Sequence, residues 1–152
     1  MPEPELIDVP ATTTAVIAGV VPMSELRSFF DGSFGAIASA VGGQGVAITG
    51  PALALYHGPP TDTVDLEVGF PTDGPVEPDG EVRAGALPAG RVARLVHEGG
   101  YDQLGDSWGR LGAWIGEQGL TPGPLLWEVY VTEPTPDTDP ATLRTELNWS
   151  VA

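Results

Sequence analysis

The same succession of marks occurs twice along this chain. Gly45-Val46, Gly50-Pro51 and Tyr56 in the first half are matched by Gly119-Leu120, Gly123-Pro124 and Tyr130 in the second. Each set follows an apolar strand candidate and a helix start. The first is 15–21 (AVIAGVV) with Ser24, Glu25 and Leu26, and the second is 91–100 (RVARLVHEGG) with Asp102, Gln103 and Leu104. Ser24 and Asp102 are both good N-cap types. Each half closes on a similar strand, 64–70 (VDLEVGF) and 143–149 (LRTELNW), which sets Glu67 against Glu146, Val68 against Leu147 and Phe70 against Trp149. The repeat predicts a duplicated β-α-β-β unit.

A length of 152 residues suits a single domain, 1–152, with repeat halves at about 5–72 and 82–151. Between them, 71–81 (PTDGPVEPDGE) reads as an exposed connection rich in Pro, Gly and acids, and 132–140 (TEPTPDTDP) has the same character between the last two strands. A further β segment, 82–90 (VRAGALPAG), is expected to open the later half. Strands outnumber helices and hairpin-type loops join them, so the fold class is α+β with an antiparallel sheet and two main helices.

The helix at about 102–118 aligns Leu104, Trp108, Leu111 and Ile115 in one apolar stripe, which Tyr101 extends. Gly105, Gly109, Gly112 and Gly116 line an adjoining face. Glycine inside a helix costs roughly 1 kcal/mol relative to alanine, so four in a row suggest either close packing or room for a ligand. Trp114 falls among polar residues, partly exposed or covered by another element. The first helix, roughly 24–41, carries Leu26, Phe29, Phe30, Ile37 and Val41, with Gly32 and Gly35 as points where it would bend or break.

Charge excludes several functions. The net charge is −15, and the chain has six arginines, no lysine and no basic run. Direct nucleic acid binding and adsorption to an anionic membrane both need clustered cations, so neither is expected. An acidic protein attracts cations, small cationic organic molecules included. With no cysteine there is no disulfide and no thiolate metal site. No secretory signal or membrane-length apolar run is read, so a cytoplasmic setting is expected. His57 and His97 have no ligand spacing around them, and there is neither a phosphate loop nor a Ser nucleophile motif. No metal or cofactor is expected.

The stretch 123–134 (GPLLWEVYVTEP) reads as a half-buried strand with a carboxylate at its centre. Alternate residues face opposite sides, so Leu126, Glu128 and Tyr130 share one face, and Leu125, Trp127, Val129 and Val131 share the other. The second set is apolar and should pack against core. A strand glutamate commonly lies on a solvated face; buried alone, it would carry a large desolvation cost. A cationic ligand between aromatic walls offsets that cost, with cation–π contact adding about 0.5–2 kcal/mol.

The order H-E-G-G-Y-D-Q-L, then a helix ending E-Q-G-L, then G-P-L-L-W-E-V-Y-V-T-E-P, resembles the GyrI-like small-molecule-binding family, the effector-binding domains of AraC- and MerR-type regulators. G-P-A-L-A-L-Y and V-D-L-E-V-G-F-P resemble the family's first half, and the likeness spans about residues 5–151. Gly99-Gly100-Tyr101 stands where many members have Gly-Pro-Tyr. The resemblance implies a pseudo-twofold pair of β-α-β-β units around a central cleft that takes hydrophobic, often cationic, aromatic compounds. It also implies that Glu128 supplies the negative charge. Tyr130 and Leu126 share its strand face; Tyr56, at the repeat position of Tyr130, faces the cleft from the other half or packs in the core. Tyr101 and Trp108 wall the cleft or belong to ordinary core. Glu67 and Glu146 read as duplicated strand edges, and Phe70 and Trp149 as structural.

Three functions follow from the resemblance. The first is a stand-alone binding protein for sensing or sequestration, since no helix-turn-helix segment is read. The second is a hydrolase that opens strained cyclopropane-type genotoxins in the same cleft, with Glu128 and Tyr101 as its catalytic candidates. The third is a protein partner that modulates a topoisomerase. A homodimer, or a separate regulatory protein as partner, is compatible with each.

Overall fold

Where apolar and polar residues alternate, the chain forms strands. The computed structural model describes residues 3–57, 62–100, 103–132, 137 and 139–151. The strands are β1 (Glu5–Val9), β2 (Thr12–Pro22), β3 (Leu53–Tyr56), β4 (Thr63–Pro71), β5 (Arg83–Leu87), β6 (Gly90–Glu98), β7 (Pro122–Tyr130) and β8 (Arg144–Val151). They form one antiparallel sheet in the order β1-β6-β8-β7-β3-β4-β2-β5. Two helices, α1 (Leu26–Gly43) and α2 (Leu104–Glu117), complete the fold.

The repeat is visible in the register. β3 pairs with β7 so that Ala54 lies opposite Glu128, while Val68 on β4 faces Ala54 and Leu147 on β8 faces Glu128. The β2-α1-β3-β4 half and the β6-α2-β7-β8 half therefore meet at the β3–β7 seam. The sequence marks become matching helix stops. Gly45 and Gly119 both take a left-handed conformation, φ 71° and 72°. In each case the next residue's N–H bonds back to the helix, Val46 to the Val41 carbonyl and Leu120 to the Ile115 carbonyl. This glycine closure satisfies carbonyls that a helix end leaves open. The later half has one more residue between its Gly-Pro and its Tyr, and a register shift lies in that stretch, between Pro122 and Leu126.

The edge strands depart from expectation. The 82–90 segment is not one strand: β5 ends at Leu87 and β6 begins at Gly90. Although β5 precedes the later half in sequence, it pairs with β2 of the first half, and β1, which sequence pattern did not reveal, pairs with β6 of the second. Each half thus lends an arm to the other. Ile7 and Val9 of β1 and Leu87 of β5 pack against a central cluster of Leu55, Val92 and Trp127, so the sheet curls its edges over its own middle. The 71–81 connection is pinned rather than loose. Val76 is buried, Asp73 N–H bonds to the Ala47 carbonyl, and Gln44 exchanges hydrogen bonds with Glu77 in both directions.

Both helices lie on the other face. α1 packs Ile37, Ala40 and Val41 onto Ile17, Leu66 and Val68, and α2 packs Leu111 and Ile115 onto Ala93, Leu95 and Leu147. α1 runs through Gly32 and Gly35 without a break, because its apolar stripe is continuous across them. Ser24 lies in a single 3-10 turn before α1; Glu25 and Gln103 take the N-cap positions without side-chain caps, and Asp102 is outside the described residues. Close packing accounts for one glycine of the α2 face, not for all four. A Cβ at Gly105, Gly109 or Gly116 would meet nothing within 4 Å, and only Gly112 backs onto a ring, that of Trp149 at 3.2 Å. The stripe ending in Ile115 turns that face outward, and Trp114 lies half-buried against the α2 core. No helix among the described residues is long and apolar enough to cross a membrane.

Candidate functional site

Strand parity puts Glu128 on the helix-covered face, at the seam between the halves, and it is only 5% exposed. Aromatic side chains from three elements, β3, β7 and α2, surround it. Tyr56, at the end of β3, donates its hydroxyl to Glu128 Oε1 at 3.1 Å, and Tyr130, two residues along β7, donates to the same oxygen at 2.8 Å. Trp108, one turn into α2, donates its indole N–H to Oε2 at 2.8 Å. Both carboxylate oxygens are thereby satisfied inside the protein, which is how a buried charge is tolerated. No cationic side chain pairs with Glu128 among the described residues; the ion pairs there are His57–Glu67, Arg91–Asp8, Arg94–Glu146 and Arg144–Glu98.

The carboxylate controls its neighbours. Burial, and then the negative charge of Glu128, hold the Tyr56 and Tyr130 hydroxyls well above the usual tyrosine value of 10.0. Both phenols are therefore protonated at neutral pH and serve as donors, not as phenolate bases. Phe30 of α1 stands edge-on to Tyr130, ring centroids 6.2 Å apart, and Trp108 is edge-on to Trp149 at 5.9 Å. Aromatic groups from α1, α2 and the sheet thus converge on one carboxylate.

Of the residues singled out from sequence, Glu128, Tyr56, Tyr130 and Trp108 come together. Leu126 is buried on the same strand face, opposite Tyr56. Tyr101 lies outside the described residues. On the other face Trp127 is buried with Leu125 and Val129 against it as expected, but Val131 lies beyond the end of β7 and is 49% exposed. Glu67 and Glu146 share that other face and are not idle strand edges: Glu67 bonds His57 at 2.7 Å, and Glu146 pairs with Arg94 at 3.1 Å. Phe70 and Trp149 pack in the α1 and α2 cores. An open cleft of about 210 Å³ does exist, but on this other face, bordered by Val9, Pro10, Leu87, Pro88 and Trp127.

Sequence reading passed over three residues of the helix-covered face. Ala54, directly opposite Glu128, is fully buried and carries the smallest side chain a strand face can present beside the carboxylate. The matched Tyr56 and Tyr130 marks were the available signal, because counting back from each reaches Ala54 and Glu128. His97, weighed in the sequence only as a metal ligand and rejected as one, is buried and ties α2 to the sheet. Its Nε2 donates to the Gly100 carbonyl at 2.9 Å, so in the neutral ring Nδ1 accepts from the Ser107 hydroxyl at 2.6 Å. Thr145 is the third, and no local pattern marked it.

The model of the GyrI-like small molecule binding domain matches residues 2–152. The chain belongs to this family. As a GyrI-like domain it is a small-molecule-binding protein, and its fold recurs in solved structures. The EcmrR C-terminal domain shares 20% identity at a TM-score of 0.87, with 100% of this chain and 98% of that one covered. In the EcmrR–DNA complex the chain spans 57% of the EcmrR polypeptide, at 20% identity, a TM-score of 0.86 and 99% coverage of this chain. SAV2435 bound to tetraphenylphosphonium is similar at 12% identity and a TM-score of 0.69, covering 99% and 94%. A hydrolase from Listeria innocua is similar at 12% identity and a TM-score of 0.64, covering 99% and 92%. No curated protein sequence matches the chain.

Proposed function

We propose that this GyrI-like domain captures hydrophobic aromatic cations, for sensing or sequestration, with Glu128 as the recognising charge. The observation that carries this reading is a buried carboxylate whose three hydrogen-bond donors are all aromatic side chains and which has no cationic partner among the described residues. A ligand cation entering between the helices replaces neutral donors with an opposite charge and finds Tyr56, Tyr130 and Trp108 as ring walls. In a desolvated site, cation–π contact with such rings reaches about 2 kcal/mol. The tetraphenylphosphonium bound to a protein of the same fold agrees in chemistry. In this reading the domain works as one unit in the cytoplasm, alone, as a homodimer, or beside a separate regulatory protein.

The test is a thermal-shift titration with tetraphenylphosphonium and with neutral triphenylphosphine oxide. Ligand at a hundred times Kd stabilises by about 2.7 kcal/mol. The cation should raise Tm and the neutral compound should not, and Glu128→Gln should abolish the difference. Equal shifts with both compounds, or a cation shift that survives in Glu128→Gln, overturn the reading. Hydrolysis of strained electrophiles is the second reading, favoured by the similarity to a hydrolase. It requires product formation that Glu128→Gln stops while substrate still binds.

A further inference from the structure

The helix-covered face of the sheet carries a polar row beside Glu128. On β8, Thr145 lies directly between two partners, with Tyr130 opposite it on β7 and His97 opposite it on β6. Residues directly opposite in an antiparallel sheet share a face, so the Thr145 side chain points to the same side as the Tyr130 ring and the Glu128 carboxylate. Thr145 is 0% exposed, and its hydroxyl oxygen has no hydrogen-bond partner among the described residues. Its neighbours are already committed: Tyr130 to Glu128, and His97 through both ring nitrogens to Ser107 and Gly100.

A buried hydroxyl without a partner destabilises a fold, and such groups are rare enough to need a reason. Valine would fill the same volume on a strand without that penalty. The equivalent place in the first half supports this: Val68 matches Leu147, so Thr145 corresponds to Leu66, a fully buried residue of the α1 core. One half of the duplicated unit puts leucine where the other puts an unpartnered threonine, and it is the half that also carries Glu128 in place of Ala54. Both departures from the apolar pattern lie on the same side of the seam, as diagonal neighbours roughly 7–8 Å apart along the sheet.

We infer that Thr145 is a second anchor of the Glu128 site, hydrogen-bonding ligands that carry an amino or hydroxyl group alongside their positive charge. The inference rests on the proposed role of Glu128. It assigns the two residues different tasks: the carboxylate selects charge, and the hydroxyl ranks cations by their hydrogen-bonding groups. A threonine hydroxyl both donates and accepts, so it serves an amine or a hydroxyl equally.

Two dyes separate these tasks. Proflavine is a tricyclic cation with two N–H₂ groups; acridine orange has the same ring and charge with those groups dimethylated. Their affinities are measured by fluorescence titration against wild type, Thr145→Val, Thr145→Ser and Glu128→Gln, at high ionic strength so that attraction to the acidic surface is screened. Thr145→Val should weaken proflavine about fivefold to tenfold and leave acridine orange within about twofold, while Thr145→Ser keeps the wild-type preference. The Tm of ligand-free Thr145→Val should equal or exceed that of wild type. A lower Tm with equal losses for both dyes overturns the inference and makes the hydroxyl structural, held by internal water. Unchanged proflavine affinity in Thr145→Val overturns it while leaving Glu128 in place. Dye binding that survives in Glu128→Gln overturns the underlying reading instead.

Discussion

Ala54 and Glu128 face each other across the β3–β7 seam, and they are the same position in the two halves of the repeat. Small opposite large is what lets one carboxylate occupy a place that symmetry would give to two. A second glutamate at position 54 would set two like charges together in a buried site, and two alanines would leave a void. The asymmetry decides that the fold holds one charge, approached by Tyr56 from one half and by Tyr130 and Trp108 from the other.

Filling position 54 should therefore displace the carboxylate. Ala54→Leu adds three carbons where no space is left, and overpacking of this kind costs about 1–3 kcal/mol. Urea denaturation should show that loss, and tetraphenylphosphonium should no longer raise Tm. An Ala54→Leu protein as stable as wild type, with its ligand response intact, would mean that the Glu128 side chain does not use this space.

Trp108 is the only donor to Oε2 among the described residues. Trp108→Phe keeps a ring against Trp149 but removes the N–H, leaving that oxygen without its protein donor. Hydrogen bonds to charged groups contribute about 1.5–3 kcal/mol, and a destabilisation of that size is expected by circular dichroism in urea. A change under about 0.5 kcal/mol would indicate that water replaces the indole at no cost.

The raised Tyr56 and Tyr130 hydroxyls make stability depend on alkaline pH. In the unfolded chain these phenols ionise near the usual 10.0, whereas the folded chain keeps their protons. The folded state then binds more protons, so stability is full below that value and falls as pH rises through the window up to the folded-state values. The slope is about 1.4 kcal/mol per pH unit for each tyrosine. The Tm of wild type should drop more steeply above that point than the Tm of Tyr56→Phe or Tyr130→Phe, each of which removes one titrating group. Identical slopes in all three proteins would show that the phenols ionise freely in the fold.

The outward glycine face of α2 predicts the opposite kind of change. Alanine at Gly109 or Gly116 meets nothing within 4 Å, so each substitution should stabilise by roughly 0.5–1 kcal/mol through helix propensity alone. Gly112→Ala should gain less, because its Cβ would press on the Trp149 ring at 3.2 Å. The order of the three Tm values checks the orientation of the helix. A stability loss at Gly109 would mean that its face is covered.

Local chemistry made part of this protein legible without a structure. Gly45 and Gly119 announce helix ends because only a residue without Cβ readily takes their positive φ. The alternation around Glu128 fixed its strand face, since neighbouring strand residues must point to opposite sides. The matched Tyr56 and Tyr130 marks carried the repeat, and with it the seam. What tertiary structure alone decided depends on segments far apart in sequence finding one register. The exchange of β1 and β5 between halves left no local trace, because an edge strand looks the same whichever neighbour it pairs with. Glu128 could be placed on a face, but whether that face was open or closed depended on α2 laying Trp108 over it. Thr145 was invisible for the same reason. A threonine in a strand is ordinary, and only the pairing of β8 with both β6 and β7 buries its hydroxyl with no partner among the described residues.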